Sequence, residues 1–566
     1  MKKLLSLLQL SMYIILLQIS FSCKQKDSAP SKELISEMKL KRGQVIYCGA
    51  DDKQFGSVQF ETSCSGKVKE DFNLAIKLLH SFEYDEAEKV FAKIIDQQPH
   101  CAMAYWGVAM SNFHALWAPP SEAELKKGAK AIEIAQAISQ KSKREAGYIN
   151  AIATFYKEWD KTDHRTRCIA FEKAMENLRT EYPNDREAAI FYALALTAAA
   201  DPADKTFTKQ KKAGLILNGL YPGEPNHPGI VHYIIHTYDS PELAEMALPA
   251  ARKYASVAPA SAHALHMPSH IFTRLGLWDE CINSNLASVA SAQCYAEEAG
   301  IKGHWDEELH GLDYLTYAYL QKGENGLAKK QWDYLKTINE VSPLNFKVAY
   351  AFASIPSRYL MENKLWKEAA NLKIHYINFP WEKFQWQKAM IHFTRLMGSA
   401  NILNLVAAKA ELTELTGIYN KLFKQKDLYQ ANQVQIQIKT SEAWIKFKEG
   451  KNDEALKLMN FAADMEDKTE KHPVTPGELI PARELLGDML LQMNKPDEAL
   501  KSYEADLQRH RNRFNGIYGA AFAAEKSNNF EKANIYYQLL TSIANSPHSN
   551  RPELETARLF LKKQTH

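Results

Sequence analysis

The feature that most constrains the fold of this chain is a recurrence of small residues at a fixed interval of 34 positions. Ala213, Ala247 and Cys281 follow one another at that interval. Pro225 and Pro259 are also 34 residues apart, and they lie twelve residues after Ala213 and Ala247, respectively. Such a period indicates stacked supersecondary units, because each unit must pack on its neighbours to bury its apolar faces.

The same pattern of small and aromatic residues returns on either side of this series. Ala87 is followed by Phe91 and Pro99, and Ala499 and Tyr503 recur one period later as Ala533 and Tyr537. Further small residues of this kind are Ala328, Ala369 and Ala455. The pattern resembles the tetratricopeptide repeat (TPR), which has small residues at positions 8 and 20 and an aromatic residue near position 24. The resemblance spans most of residues 68–545 and implies an all-α, TPR-like superhelical array of antiparallel helix pairs.

The N-terminal residues are typical of a targeting segment. Lys2 and Lys3 precede an apolar run that ends at Phe21, and Cys23 follows. This resembles a bacterial lipoprotein signal peptide with Cys23 as the lipidated residue, although Phe21 and Ile19 depart from the usual pattern. An ordinary cleaved signal peptide is the alternative. The predicted organisation is a signal peptide at 1–22, a tether at 23–45, a small Cys-flanked hairpin or irregular segment at 46–67, and TPR-like arrays at 68–345 and 346–566.

We therefore predict that the protein is lipid-anchored in the bacterial cell envelope, at the outer membrane. Disulfides form in that compartment. Cys48 and Cys64 flank alternating residues that suggest a hairpin, so we predict a disulfide between them, which would contribute about 3 kcal/mol. The other cysteines lie in helical sequence and are predicted to be buried small residues: Cys101, Cys168, Cys281 and Cys294.

Composition narrows the classes of partner. The apolar fraction of 46% is enough for a real core. The formal charge of +3 is small for this length, and no basic run stands out. We therefore predict no nucleic-acid partner.

Eight of the 18 histidines lie between His227 and Asp313. Repeat units placed at 228–261, 262–295 and 309–342 put most of them at positions 2, 5 and 9, which line the concave groove in TPR proteins. Spacings of three, four and seven residues independently place side chains on one helical face. The residues predicted to share this groove are His232, His236, His263, His266, His270, His310 and Asp313.

These side chains support two interpretations. Neutral imidazoles with a carboxylate suit a transition metal such as Zn, Cu or Fe, and its identity is not encoded in the pattern. The alternative is a polar network of histidines and tyrosines without metal. The motif HYIIH lacks the glutamate of a zinc protease, and nothing in the sequence positions Glu307 or Glu308 as a base. His227 and His304 are predicted to be supporting or surface groups.

A second set of residues is predicted to contact an organic ligand in the groove. The segment AYWGVAMSNFHALW is expected to form an aromatic wall, with further polar groups from the histidine-bearing units. The residues of this set are Trp106, Met110, His114, Asp239, Tyr314 and Tyr317.

Three functions fit these features. The first is an envelope TPR lipoprotein with a metal site in its groove, with catalysis left open. The second is a non-enzymatic scaffold whose groove takes a peptide, a protein or a small molecule. The third, a glycan receptor similar to SusD, fits less well because the repeats run through the middle of the chain without long insertions. The segments HPGIVHYIIHTYD and HALHMPSHIF resemble TPR proteins of the bacterial cell envelope, which implies an architecture and no particular activity.

Overall fold

The computed structural model describes residues 29–48, 55–116, 119–374 and 379–564. The predicted signal peptide and Cys23 lie outside these residues. Helices form in antiparallel pairs from residue 69 onward, as the repeat pattern predicts. The first helix of the described residues, α1 (Lys32–Glu37), precedes these pairs. It is followed by α2 (Lys69–His80), α3 (Tyr84–Gln97), α4 (Ala102–Ser111), α5 (Glu122–Ala137), α6 (Lys143–Tyr156), α7 (His164–Glu181), α8 (Arg186–Ala198) and α9 (Thr208–Leu220).

The middle of the chain carries the histidine-bearing helices and the two short strands of the described residues, which pair in parallel. The elements are α10 (Pro228–Thr237), α11 (Ala244–Val257), α12 (Ala262–His266), α13 (Pro268–Leu275), α14 (Trp278–Glu298), β1 (His304–Trp305), α15 (Asp306–Gln321), α16 (Asn325–Leu335), β2 (Val341–Ser342), α17 (Phe346–Glu362) and α18 (Trp366–Ala370).

The C-terminal part continues the array with longer helices. They are α19 (Gln385–Asn401), α20 (Leu405–Lys424), α21 (Leu428–Lys448), α22 (Asn452–Asp467), α23 (Ala482–Gln492), α24 (Pro496–Arg509), α25 (Phe514–Lys526), α26 (Phe530–Ile543) and α27 (Pro552–Gln564). Short 3-10 turns lie at Gly66–Val68 and Trp381–Lys383. No helix of the described segments is both long and apolar enough to cross a membrane.

The small residues that revealed the repeat lie where the two helices of a pair touch. All nine have no exposed surface: Ala87, Ala213, Ala247, Cys281, Ala328, Ala369, Ala455, Ala499 and Ala533. Gly487, at position 8 of its repeat, also allows the two helices of a pair to approach closely. A Cβ at this residue would lie 2.7 Å from the ring of Tyr503. The all-α TPR-like array is therefore confirmed, and helix approach explains its pattern.

Pro268 interrupts the first helix of its unit, as its sequence position predicts. The helix ends at His266 and a new one begins at Pro268, the first-turn position where a missing N–H is harmless. This break lies between two histidines of the predicted groove. It sets the direction in which the second of them points.

The predicted disulfide between Cys48 and Cys64 is wrong. Cys48 is bonded to Cys294 in α14, and Cys64 is bonded to Cys101 at the start of α4. The described part of 46–67 forms no strand, so it is the irregular alternative that is seen there. The segment lies along the helices and is fastened to two of them. Cys168 and Cys281 are free and buried, as predicted.

The C-terminal array folds back on the histidine-bearing helices. Arg513 is fully buried and donates hydrogen bonds to Glu362 and Glu484, at 2.8 and 3.0 Å. Trp278 Nε1 donates to the carbonyl of Asn512 at 2.8 Å. These contacts tie α14 and α17 to the last repeats. The array boundary proposed near residue 345 stays a prediction.

Candidate metal centre

Helix α10 carries the first pair of histidines. It begins with Pro228, and all of its residues except His236 are buried. His232 and His236 lie one turn apart on it and point the same way. His236 Nε2 lies 2.9 Å from His232 Nε2, and His263 Nε2 lies 3.2 Å from His232 Nε2. We call His232, His236 and His263 the first triad.

The second triad consists of His266, His270 and His310. His266 ends α12, His270 lies in the first turn of α13, and His310 comes from α15. His266 Nε2 and His270 Nε2 are 3.1 Å apart, and the ring of His310 lies 4.2 Å from that of His266. Within each triad, one ligand atom from every side chain lies within 4.8 Å of the others. The two triads adjoin, since the rings of His236 and His270 are 6.3 Å apart.

Neighbouring oxygens determine which ring nitrogen carries the proton in three of these histidines. His232 Nδ1 lies 2.6 Å from the carbonyl oxygen of His80, which can only accept. His266 Nδ1 lies 2.7 Å from Asn285 Oδ1, whose amide Nδ2 donates to the carbonyl of Cys281. The proton of both imidazoles is therefore on Nδ1, and a lone pair is on Nε2.

His270 is held in the same tautomer by a carboxylate. Its Nδ1 lies 3.1 Å from Asp239 Oδ2. Burial works against ionisation of Asp239, but Lys471 and Arg274 keep the pKa of its carboxyl group well below the usual range. Asp239 is thus an acceptor, and His270 Nδ1 donates to it. The Nε2 lone pairs of His266 and His270 consequently face each other.

The environment disfavours protonation of either triad. Four of the six rings are buried, and His236 and His263 are half-buried. Burial lowers the pKa of all six below the ordinary value, and neighbouring imidazoles lower most of them further. For His263 the pKa falls to about 3. Near neutral pH the site therefore offers six neutral imidazoles, the form that binds transition metals.

A third triad, formed by His80, Glu187 and His227, escaped the sequence analysis. Glu187 Oε2 lies 2.9 Å from His80 Nε2, and Glu187 Oε1 lies 2.9 Å from His227 Nε2. The side chains of this third triad are buried, so of the two roles predicted for His227, a supporting or a surface group, the surface role is wrong. His80 falls outside the predicted cluster, and only the register of α2 against α10 brings it near.

Asp313 does not join the histidines. Its carboxylate is engaged by the guanidinium of Arg358 and the hydroxyl of Ser354, and both of these partners are fully buried. The predicted ligand role of Asp313 is therefore not supported by its geometry. Asp239 does reach the centre, where it contacts His270 as a hydrogen-bond acceptor. His304 is half-buried outside the centre and contacts Glu308.

The predicted aromatic wall lies in the core. Trp106 and Met110 are almost fully buried, and Trp106 packs against Phe60 and Phe191. The wall prediction is wrong because α4 is apolar around its whole circumference and is covered on every side.

The other predicted ligand contacts lie in three different places. Tyr314 packs edge-on against His266, with ring centroids 4.7 Å apart, and so belongs to the centre. Tyr317 instead accepts a hydrogen bond from Arg513 at 3.1 Å. His114 lies apart from both, with its Nε2 3.3 Å from Glu124 Oε1.

Residues 468–481, which we call the strap, connect α22 to α23 and cover the centre. Lys471 in the strap lies 3.4 Å from Asp239 Oδ2, and burial lowers the pKa of its amine to about 8. The carbonyl of Gly477 accepts from Tyr350 at 3.0 Å. The open groove predicted from the repeat register is therefore closed at this point by another part of the same chain.

Comparisons with known proteins find similarity only to solved structures, and that similarity is remote. No protein-family model matches the sequence, and no curated protein sequence matches it. Among solved structures, the TPR domain of P58(IPK) is 15% identical, covering 67% of this chain and 99% of its own, with a TM-score of 0.20. The Cut9–Hcn1 hetero-tetramer of the APC/C is 12% identical, covering 88% and 96%, with a TM-score of 0.26. The human IFIT1 dimer with m7Gppp-AAAA is 11% identical, covering 78% and 90%, with a TM-score of 0.34.

Scores this low carry no argument about ligands or activity. The TPR-like architecture rests on the helix pairs and the buried small residues of this chain. Its function has to be inferred from the histidine triads themselves.

Proposed function

We propose that the first and second triads bind two transition-metal ions, so that this chain is a metalloprotein built on a helical-repeat scaffold. The observation that carries the proposal is the 3.1 Å separation of His266 Nε2 and His270 Nε2. Both Nδ1 protons are donated elsewhere, so two lone pairs face each other with no hydrogen between them. A cation bound by both nitrogens turns this repulsion into coordination.

The separations within the triads fit a shared ion. Two imidazole nitrogens on one tetrahedral zinc, each about 2.0–2.1 Å from the metal, lie roughly 3.3 Å apart. The observed separations between Nε2 atoms are 2.9, 3.1 and 3.2 Å. Nitrogen-only donor sets suit Zn, Cu, Fe or Ni, which keeps the predicted metals and leaves their identity to measurement.

Elemental analysis of the purified protein tests this proposal. We expect about two metal ions per chain in the wild type and about one in His270→Asn. The variant leaves the second triad with two imidazoles, whereas the first triad keeps three neutral imidazoles, which suffice for a site. His304→Asn is the matched control, since that histidine lies outside both triads, and it should retain the wild-type content. Absence of stoichiometric metal, both after purification without chelator and after addition of Zn, Cu or Fe salts, would contradict the proposal.

Capture of a polar peptide or small molecule is the second candidate function. A separate cleft of about 700 Å³ lies beside the third triad, lined by residues that include Arg144, Asn184, Asn226 and His227. His227 Nδ1 is buried there without a hydrogen-bond partner. A thermal-shift screen of peptides and polar metabolites, repeated with His227→Phe, tests whether this cleft binds a ligand. Hits that survive the substitution would argue against it.

The proposed location is the bacterial cell envelope, with a lipid anchor on Cys23. Two disulfides support an oxidising compartment, because such bonds are rare in the cytosol. Mass spectrometry of the protein purified from membranes should find an N-terminal lipidated cysteine. Cys23→Ser should release the protein from the membrane fraction, and its retention there would count against the anchor.

A further inference from the structure

The first and second triads share one small cavity. His263 from the first and His270 and His310 from the second line its wall. Its remaining lining comes from Met267, Glu307, Lys347, Pro473 and Val474. Pro473 and Val474 belong to the strap, and the carbonyl of Val474 accepts a hydrogen bond from Tyr314 at 3.4 Å. The cavity is therefore bounded on one side by imidazoles and roofed by apolar groups.

One polar atom of a residue that lines this cavity, Glu307 Oε2, has no hydrogen-bond partner among the described residues. Lys347 Nζ lies 2.6 Å from both Asp306 Oδ2 and Glu307 Oε1, so one carboxylate oxygen of Glu307 is occupied. The other, Glu307 Oε2, is buried and accepts no hydrogen bond from any described residue. A buried acceptor of this kind normally has a donor, and the cavity that Glu307 lines is also lined by His263, His270 and His310.

The size of the cavity limits what that donor is. Its volume is about 30 Å³, enough for one or two water-sized molecules and too little for a sugar or an amino acid. The strap above it is held by Lys471 and by the carbonyl of Gly477, so the volume is a property of the assembled chain. The occupant is therefore a ligand of one to three heavy atoms that carries a hydrogen.

We propose that this cavity holds a water molecule or hydroxide as the exchangeable ligand of the metal pair, with Glu307 Oε2 as its hydrogen-bond acceptor. This inference rests on the metal binding proposed above. It gives Glu307 the role of accepting a hydrogen bond from that exchangeable ligand. A bound water in such a position is the usual source of a nucleophile in metal centres.

Azide binding to the cobalt-loaded protein tests the inference, with Glu307→Gln compared with Glu308→Gln. Glu308 is the adjacent residue but contacts Tyr334 and His304 instead of the cavity. Azide should displace the bound water and change the visible spectrum of cobalt. Loss of the Glu307 charge should tighten azide binding about 10-fold, because a nearby carboxylate repels an incoming anion. Glu308→Gln should bind azide as the wild type does.

A second measurement on the wild type tests the cavity without any variant. Imidazole is too large for the space and should leave the cobalt spectrum unchanged at concentrations where azide is saturating. Full cobalt content with no response to azide would overturn the inference while leaving the metal proposal intact. Equal azide affinity in both glutamine variants, or binding of imidazole as tight as that of azide, would overturn it as well. A protein that takes up no cobalt would refute the metal proposal and this inference together.

Discussion

The third triad and the second triad are alike in burial and size, yet their protons are arranged in opposite ways. In the third triad an ionised carboxylate lies between two imidazoles, and each Glu187 oxygen accepts one N–H. In the second triad the Nδ1 protons of His266 and His270 point outward to Asn285 and Asp239. The Nε2 lone pairs point inward. In the third triad both carboxylate oxygens of Glu187 face an N–H donor, whereas in the second triad the facing lone pairs of His266 and His270 can be satisfied only by a cation.

This difference separates a structural cluster from a binding site without reference to any relative. Three buried ligand-type side chains within a few ångströms are found in both. Only the assignment of protons, read from the acceptors beyond each ring, tells them apart. The third triad also supports the first, because the carbonyl of His80 holds His232 in the metal-binding tautomer.

The largest expected effect comes from breaking the third triad. Glu187→Leu removes the carboxylate between two buried imidazoles and should lower the free energy of unfolding by about 3–5 kcal/mol, since breaking a buried charged network leaves polar groups unpaired. The measurement is urea unfolding in the presence of EDTA. Under the same conditions His270→Asn should change stability by much less. A Glu187→Leu protein as stable as the wild type would show that the hydrogen bonds contribute little.

The next effect belongs to metal binding by the second triad. A ligand present at 100 times its dissociation constant stabilises the folded state by about 2.7 kcal/mol. We expect a gain of this size for each of the two ions when zinc is added to the EDTA-treated wild type, and about half of the total gain in His266→Ala, which retains only the first triad. The Glu187→Leu variant, in contrast, should keep its response to zinc. An unchanged gain in His266→Ala would argue that this triad does not bind the ion.

The fold was predictable because the close packing of two helices requires small residues, and these recur at a regular interval in the sequence. The alanines at position 20 repeat along the chain, and every one that the pattern singles out is fully buried. Pro268 likewise marked the helix break between His266 and His270. The cysteine pairing was not predictable, because Cys48 meets Cys294 across 246 residues and no local pattern encodes that contact.

The site was predictable only in part for the same reason. The repeat register predicted that six histidines lie together, but it could not show that Asp313 would form an ion pair with Arg358 or that the strap would cover the groove. Both facts depend on contacts between distant repeats. His80 and Glu187 each occur in ordinary helical sequence, so nothing in their surroundings marked the third triad before α2 and α8 were placed beside α10.

A smaller effect is expected from the residue that orients His266. Asn285→Leu removes the acceptor of His266 Nδ1 at similar volume, and loss of such a supporting hydrogen bond typically lowers metal affinity about 10–100-fold. Competition for zinc against a chelator of known affinity measures the change. The Asn285→Leu protein should still bind two ions at saturation. A loss of one whole equivalent would mean that Asn285 is needed for the fold of the site instead.

The smallest effect is a difference in pH dependence in the metal-free protein. Burial, together with neighbouring imidazoles such as His266, keeps the pKa of His310 well below 6.5, its ordinary value. Below pH 6.5 the unfolded state therefore binds a proton that the folded state does not, and stability falls as the pH falls. Replacing His310 by Gln should reduce this slope between pH 6.5 and 5 by about 1.4 kcal/mol per pH unit.

His510→Gln is the control for that slope, because the pKa of His510 is shifted in the opposite direction. Burial opposes the protonation of His510, but Asp506 and Glu478 raise its pKa well above 6.5. Its contribution to stability is therefore fully present below pH 6.5 and is lost only as the pH rises through the folded-state value. Urea unfolding between pH 5 and 6.5 should give His510→Gln the slope of the wild type and His310→Gln a shallower one. Equal slopes in all three proteins would mean that His310 is protonated in the folded state, and the second triad would then resemble the third in holding its own protons.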